Sequence, residues 1–180
     1  KVPVSVIVTS FNNAKTITHA LDSVRGQTHP VAEIIVADDS STDGSRELLR
    51  SYAAANPGVR VLAREANVGV SANRNDGIRQ ASAPFVTQLD GDDEFHPEKI
   101  AREVLALGGR TNAVAFSDTQ KLDPEEYWDC SWFAGLSGRQ AVAGMISRRA
   151  ALPRDMLFSK DLFLAAGGYR EDCSIYEDWG

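Results

Sequence analysis

Pro84-Phe85-Val86-Thr87-Gln88-Leu89-Asp90-Gly91-Asp92-Asp93-Glu94-Phe95-His96-Pro97 carries an apolar run into a cluster of acids and stops at a proline. The run Pro84–Leu89 reads as a buried strand, and Pro97 opens an amphipathic helix that uses Ile100, Val104 and Leu107. Four carboxylates fall within the five residues Asp90–Glu94. At ~4 Å and an effective dielectric of about 20, each like-charged pair would repel by roughly 4 kcal/mol. A fold keeps such a cluster by solvating it fully, by setting it at a helix N-terminus, or by binding a cation. The helix terminus is worth ~0.3–1 kcal/mol to each carboxylate, which serves one or two acids rather than four. An Asp-Gly-Asp-Asp turn at the carboxyl end of a strand can aim several oxygens at one point. That suits a hard divalent cation that also holds phosphate oxygens, with capping as the alternative.

Outward from this turn the chain alternates strand and helix signals. Val4–Val8 is a β-branched run, followed after Asn12-Asn13 by Ile17, Ala20, Leu21 and Val24 at helical spacing, with Gly26 closing the helix. Ile34–Ala37 is a second strand; the turn Asp38–Gly44 follows, with Thr42 or Asp43 placed to cap a helix bearing Leu48, Leu49 and Tyr52. Val59–Leu62 is a third strand and Val70–Ala81 a third helix, in which Gly77 costs ~1 kcal/mol against alanine and so implies close backbone packing. Ala113–Phe116 is a fifth strand. This alternation predicts an α/β fold, a mainly parallel sheet with helices on both faces, and ligands at the carboxyl ends of its strands. The polar clusters Thr9–Asn13, Asp38-Asp39, Arg64–Asn67 and Asp90–Glu94 all follow strands, so one sheet edge collects all four.

Composition narrows the ligand. The 180 residues are 43% hydrophobic and 24% charged, ordinary for one globular domain. A net charge of −6 argues against nucleic acid, which is bound chiefly through surplus Lys and Arg. An acidic protein handling a phosphate ligand needs a metal to reverse the local sign. No apolar stretch approaches the ~20 residues that span a bilayer, and the N-terminus lacks signal-peptide design, so a soluble domain is expected. Cys130 and Cys173 form no metal-spaced pair and no disulfide framework, which points to free thiols in a reducing compartment, with a single bridge as the alternative. Thr9-Ser10-Phe11-Asn12-Asn13 is not a Gly-rich turn, and no Gly-Lys-Ser/Thr loop occurs, which argues against dinucleotide and P-loop chemistry. A mononucleotide remains, its base or sugar at the first two loops and its phosphates at a metal near Asp90–Asp93.

Val6–Asn12, Val36–Gly44, Asn67-Val68-Gly69 with Asn73–Gly77, Leu89–Asp93, and Gly167-Gly168-Tyr169 followed by Glu177-Asp178-Trp179 resemble, in order, the signature blocks of family 2 glycosyltransferases. The last block is similar to that family's acceptor-side motif. The resemblance implies the GT-A fold, a Rossmann-like α/β arrangement, and residues 1–180 as a single nucleotide-sugar-binding domain cut short at its C-terminus. It also implies an inverting transferase using a nucleotide-sugar donor (a UDP-sugar), Mn2+ or Mg2+, and a saccharide, lipid-linked or protein acceptor. Its place would be cytoplasmic, at the membrane face if the full-length protein continues into membrane helices.

Carried over residue by residue, the resemblance gives Thr9 and Phe11 to the base pocket and Asp39 to the nucleobase, as an acceptor for an imide N–H, against the alternative that Asp38 and Asp39 serve a turn and helix cap. Arg74 becomes a basic contact to the nucleotide, against the alternative of a surface charge paired with Asp76. Asp92 becomes the direct metal ligand, Asp90 a holder of ribose or of the metal through water, and Asp93 a second ligand or orienting neighbour. Asp178 becomes the base that takes the acceptor's proton, Glu177 its substitute or orienter. Asp43 keeps the capping role, and Asn67 and Gly69 shape their loop. Ser40 stands where the family often has glycine. Trp128, Trp132 and Phe133 read as core or as an acceptor platform, and Gly135–Gln140 as an idle connection or a loop over donor. His19, His29 and His96 lack partners at ligand spacing. A catalytically idle nucleotide-sugar-binding module and a nucleotidyltransferase are the competing functions; the latter normally carries a Gly-rich basic loop that is absent here.

Overall fold

Every residue of β1 (Val4–Ser10) is buried, as a strand with a helix layer on each side must be. The computed structural model describes residues 1–117, Gln140 and residues 155–172. After β1 come α1 (Ile17–Arg25), β2 (Glu33–Asp38), α2 (Ser45–Ala55), β3 (Val59–Ala63), α3 (Val70–Gln80), β4 (Phe85–Asp90), α4 (Lys99–Leu107), β5 (Val114–Ala115), β6 (Leu157–Ser159) and α5 (Lys160–Ala165). The sheet runs β3-β2-β1-β4-β6-β5. The first three pairings are parallel, while β6 is antiparallel to both β4 and β5.

The period of two along each strand sorts the core into two layers. Val4, Val6, Val8, Ile34, Val36 and Leu89 face α1, α2 and α4, meeting Ile17, Leu21, Leu49, Ile100 and Leu107. Ile7, Ile35 and Val86 face the other way, onto Ile78 of α3 and Phe158 of β6. Helices thus cover both faces of a mainly parallel sheet, as the alternation predicts. The buried positions of α1 are Ile17, Ala20, Leu21 and Val24, and Gly26 caps it. A Cβ on Gly77 would lie 2.5 Å from Ile7 Cγ2, so α3 reaches the sheet only because that side chain is missing.

Three features depart from the sequence reading. Helix α4 begins at Lys99 rather than Pro97, with Pro97-Glu98 forming a turn ahead of it. The fifth strand shrinks to Val114–Ala115 at the sheet edge. Between it and β4 lies the unforeseen β6, which leads directly into α5, where Ser159 Oγ accepts the Leu162 N–H as cap. Lys160 Nζ then donates to the carbonyls of Arg79 and Ala81 at 2.8 and 2.7 Å, a cation at the negative end of α3. No helix among the described residues is long and apolar enough to cross a membrane.

Candidate functional site

Register brings the site together. Thr9 is paired with Asp90 across β1 and β4, and the strand period turns both side chains toward α3. Thr9 Oγ1 donates to Asp90 Oδ1 at 2.8 Å, and Arg74 Nη2 donates to the same oxygen at 2.7 Å. Arg74 is only 4% exposed. The surface-charge alternative therefore fails; Asp76 pairs instead with Arg64 and Arg79. A buried guanidinium next to a carboxylate forms a strong, charge-assisted contact, and it offsets one of the four negative charges in the acidic cluster.

The acidic turn is fixed from below. A Cβ on Gly91 would stand 2.7 Å from the Thr9 carbonyl oxygen and 3.0 Å from Ile17 Cδ1, so only glycine lets the turn lie against β1. Thr16 Oγ1 holds the Gly91 carbonyl at 2.8 Å, and the Asp93 N–H closes on the Asp90 carbonyl at 3.0 Å. Asp92 is exposed and Asp93 half-buried.

The loops after β1, β2 and β3 are bonded to one another. Asn12 N donates to Ser41 Oγ, and Asn12 Oδ1 accepts from Thr42 N, each at 2.9 Å. Asp43 accepts from Ala14 N and from the N–H and hydroxyl of Ser45; the Ser45 hydroxyl leads in holding its carboxyl below the usual range. Gly44, not Thr42 or Asp43, is the N-cap residue of α2; Asp43 nonetheless receives the first helical N–H. Asp39 is buried, and its two oxygens accept the N–H groups of Val68 and Gly69 at 2.9 Å each. Asn67 Nδ2 reaches the Asp39 carbonyl. Asp39 therefore clamps the loop that Asn67 and Gly69 shape, and a carboxylate with four lone-pair sites keeps others for a ligand. Ser40 has φ +67°, which explains glycine's suitability there. Phe11 stands 50% exposed above these bonds, its N–H fixed to Asn13 Oδ1.

Sequence reasoning misses how the Gly167-Gly168-Tyr169 segment reaches this site. Asn75 Oδ1 accepts from Tyr169 N and Asn75 Nδ2 donates to Tyr169 O, both at 2.9 Å. The Gln88 amide and Tyr169 hydroxyl are 2.5 Å apart. The signal available is Asn73-Arg74-Asn75, three polar residues in a row on a helix that must pack against a sheet; all three are buried. His29 Nε2 lies 2.7 Å from the Val2 carbonyl, and His96 Nδ1 accepts from Glu98 N, both structural contacts. Asp178 and Glu177 lie outside the described residues, as do Trp128, Trp132, Phe133, Cys130, Cys173 and residues 135–139.

Among the described residues no three His, Cys, Asp or Glu side chains gather to hold a metal unaided. The donor set still fits Mn2+ or Mg2+: the carboxylates of Asp90, Asp92 and Asp93 are hard ligands, and such ions are typically held by one or two carboxylates plus substrate phosphates.

The family model described as glycosyl transferase family 2 matches residues 5–164. A Bacillus subtilis (strain 168) protein named as a teichuronic acid biosynthesis glycosyltransferase, TuaG, is 34% identical over 114 residues, covering 63% of this chain and 45% of that protein. The structure of Staphylococcus aureus TarS 1–349 in complex with UDP superposes with a TM-score of 0.78 at 22% identity, over 97% of this chain and 52% of that one. A mannosyltransferase from Pyrobaculum calidifontis, PcManGT, in complex with GDP-Man and Mn2+, superposes with a TM-score of 0.71 at 22% identity, over 94% of this chain and 48% of that one. The chain thus spans about half the length of these relatives. At these identities the two structures establish the GT-A architecture and nothing finer.

Proposed function

This chain belongs to glycosyl transferase family 2, and on that premise we propose that it moves a sugar from a UDP-sugar to an acceptor hydroxyl with inversion at the anomeric carbon. The observation that carries the reading is the convergence, at one sheet edge, of the Thr9–Asp90–Arg74 contact with the exposed acidic turn and the cross-bonded loops after β1, β2 and β3. TuaG's name and the UDP bound to TarS support it.

Phe11 offers its exposed ring to the base, and Asp39 accepts the imide N–H while it clamps Val68-Gly69. Asp90, held by Thr9 and Arg74, faces the ribose or the metal through water. Asp92 is the direct ligand and Asp93 the second ligand or its orienter. Bound Mn2+ or Mg2+ supplies charge that offsets the negative charge developing on the departing diphosphate. Asp178 takes the proton of the attacking hydroxyl on the opposite side of the sugar. The acceptor is a saccharide, lipid-linked or protein hydroxyl rather than nucleic acid, and the domain works in the cytoplasm or at the membrane's cytoplasmic face.

Calorimetric titration of UDP with Mn2+, repeated with EDTA and on Asp92→Ala, tests this. Metal-dependent binding that weakens by about 100-fold or more in the variant is the expected result, because Asp92 is the direct ligand of the ion that holds the diphosphate. Unchanged UDP binding in EDTA or in Asp92→Ala would remove Asp92 from the metal, and no UDP binding under any metal would overturn the reading.

A further inference from the structure

We propose that Tyr169 is a positioning residue of the donor site: from the Gly167-Gly168-Tyr169 segment, its ring holds the Arg74 guanidinium against Asp90. The inference rests on the donor-site reading above. Arg74 Cζ lies 5.8 Å from the centroid of the Tyr169 ring, within reach of a cation–π contact, while its Nη2 holds Asp90. Arg74 is almost wholly removed from water. A desolvated guanidinium must recover its lost hydration from neighbours, and here a carboxylate and an aromatic face contribute.

The ring is itself pinned. Asn75 grips both the N–H and the carbonyl of Tyr169, the Gln88 amide meets its hydroxyl, and the Phe163 ring packs at 5.4 Å. A Cβ on Gly168 would come within 2.9 Å of Asn75 Oδ1, and Gly168 has φ +78°, so this approach requires glycine. Two neighbouring residues of α3 therefore meet the segment in different ways, Asn75 fixing its backbone and Arg74 receiving its side chain.

UDP titration with Mn2+ on the chain, on Tyr169→Leu, Tyr169→Phe and Arg74→Gln, and on the Tyr169→Leu/Arg74→Gln double variant tests the assignment. Tyr169→Leu is expected to weaken binding about five- to thirty-fold, and Tyr169→Phe, which keeps the ring, to stay within about two-fold of the parent. The double variant should bind within about two-fold of Arg74→Gln alone, because glutamine keeps an N–H for Asp90 but leaves the ring no cation to hold. Additive losses, a Tyr169→Leu protein that binds like the parent, or a Tyr169→Phe loss as large as that of leucine would each overturn it. Should Tyr169→Leu fail to melt cooperatively, Asn75→Ser replaces it in the same cycle, with the same non-additivity expected. Parent binding with unaffected variants sinks this coupling alone; absence of parent binding sinks the donor reading with it.

Discussion

β1 is in register with β2 over six residue pairs and with β4 over six, whereas β6 meets β4 over two and β5 over two. The first region is held by long parallel ladders and two apolar layers. The second, made by the described residues of β5, β6 and α5 and by Gly167-Gly168-Tyr169, adds buried polar groups to its short ladders and to the apolar contacts of Leu157 and Phe158. Lys99 Nζ pairs with Glu103 at 2.9 Å, donates to the Asp155 carbonyl at 2.6 Å and lies 4.3 Å from the centre of the Phe95 ring. Glu103 in turn accepts from Ser117 at 2.9 Å. One ion pair thus ties down both the chain just after β5 and the chain just before β6. Helix α5 buries no residue fully. Apolar periodicity thus builds the parallel half of the sheet, and specific polar partners join a smaller apolar contact in attaching the β5–β6 half to it.

The sharpest break of this comparison is Lys99→Met. Both partners are buried, and removing one leaves an uncompensated charge, so a loss of about 3–5 kcal/mol is expected in denaturant unfolding. Burial already pushes the Glu103 carboxyl above its usual value, with Lys99 opposing. A raised folded-state pKa gives stability that is present below the unfolded value and lost as pH rises through the folded one. The deficit of Lys99→Met should therefore be larger at pH 8 than at pH 5; a deficit independent of pH would show that Glu103 is not the burdened partner.

On the nucleotide side the matching test is Gly91→Ala. The added Cβ meets a backbone oxygen at 2.7 Å, which cannot rotate away, so about 1–3 kcal/mol of stability should go, as in an overpacked core. The acidic turn should shift with it and UDP affinity should fall. Stability lost with affinity intact would separate the turn's packing from its ligand role. The smallest effect is expected of Ser40→Gly. Relief of a left-handed serine at φ +67°, set against the added chain entropy, should gain about 0.5–1 kcal/mol, or roughly 1–4 °C in melting temperature. A lower melting temperature would mean that the Ser40 hydroxyl contact to the Glu65 carbonyl at 3.3 Å matters more than the backbone.

Legibility in the sequence divides along the same line. Ile17, Ala20, Leu21 and Val24 are readable because a helix face repeats, and Gly77 because a glycine inside a helix needs a reason. The nearness of Thr9 to Asp90 follows once both are assigned to strand ends at one edge. Arg74 reads as a contact to nucleotide, but its burial between Asp90 and Tyr169 is hidden because that environment is made by residues distant in the chain. Leu157-Phe158-Ser159 is too short to display any period, which is why β6 is invisible to periodicity. Asn75 belongs to the Asn73–Gly77 block, but nothing local points to its partner, Tyr169, far along the chain.

Sheet order also dictates when each part can form. β1 and β2, and β2 and β3, are neighbours in sequence as well as in the sheet, whereas β4 reaches back to β1 (Val4 with Phe85) and forward to β6 (Phe85 with Ser159) across loops of similar length; six residue pairs repay the first closure and two the second. We expect the nucleotide side to assemble first and the β6–Tyr169 segment to dock last. During that interval β4 is an open sheet edge with unsatisfied backbone groups, a template for wrong partners. The strand that delivers Asp90 is then the one through which a half-folded chain is most exposed to aggregation.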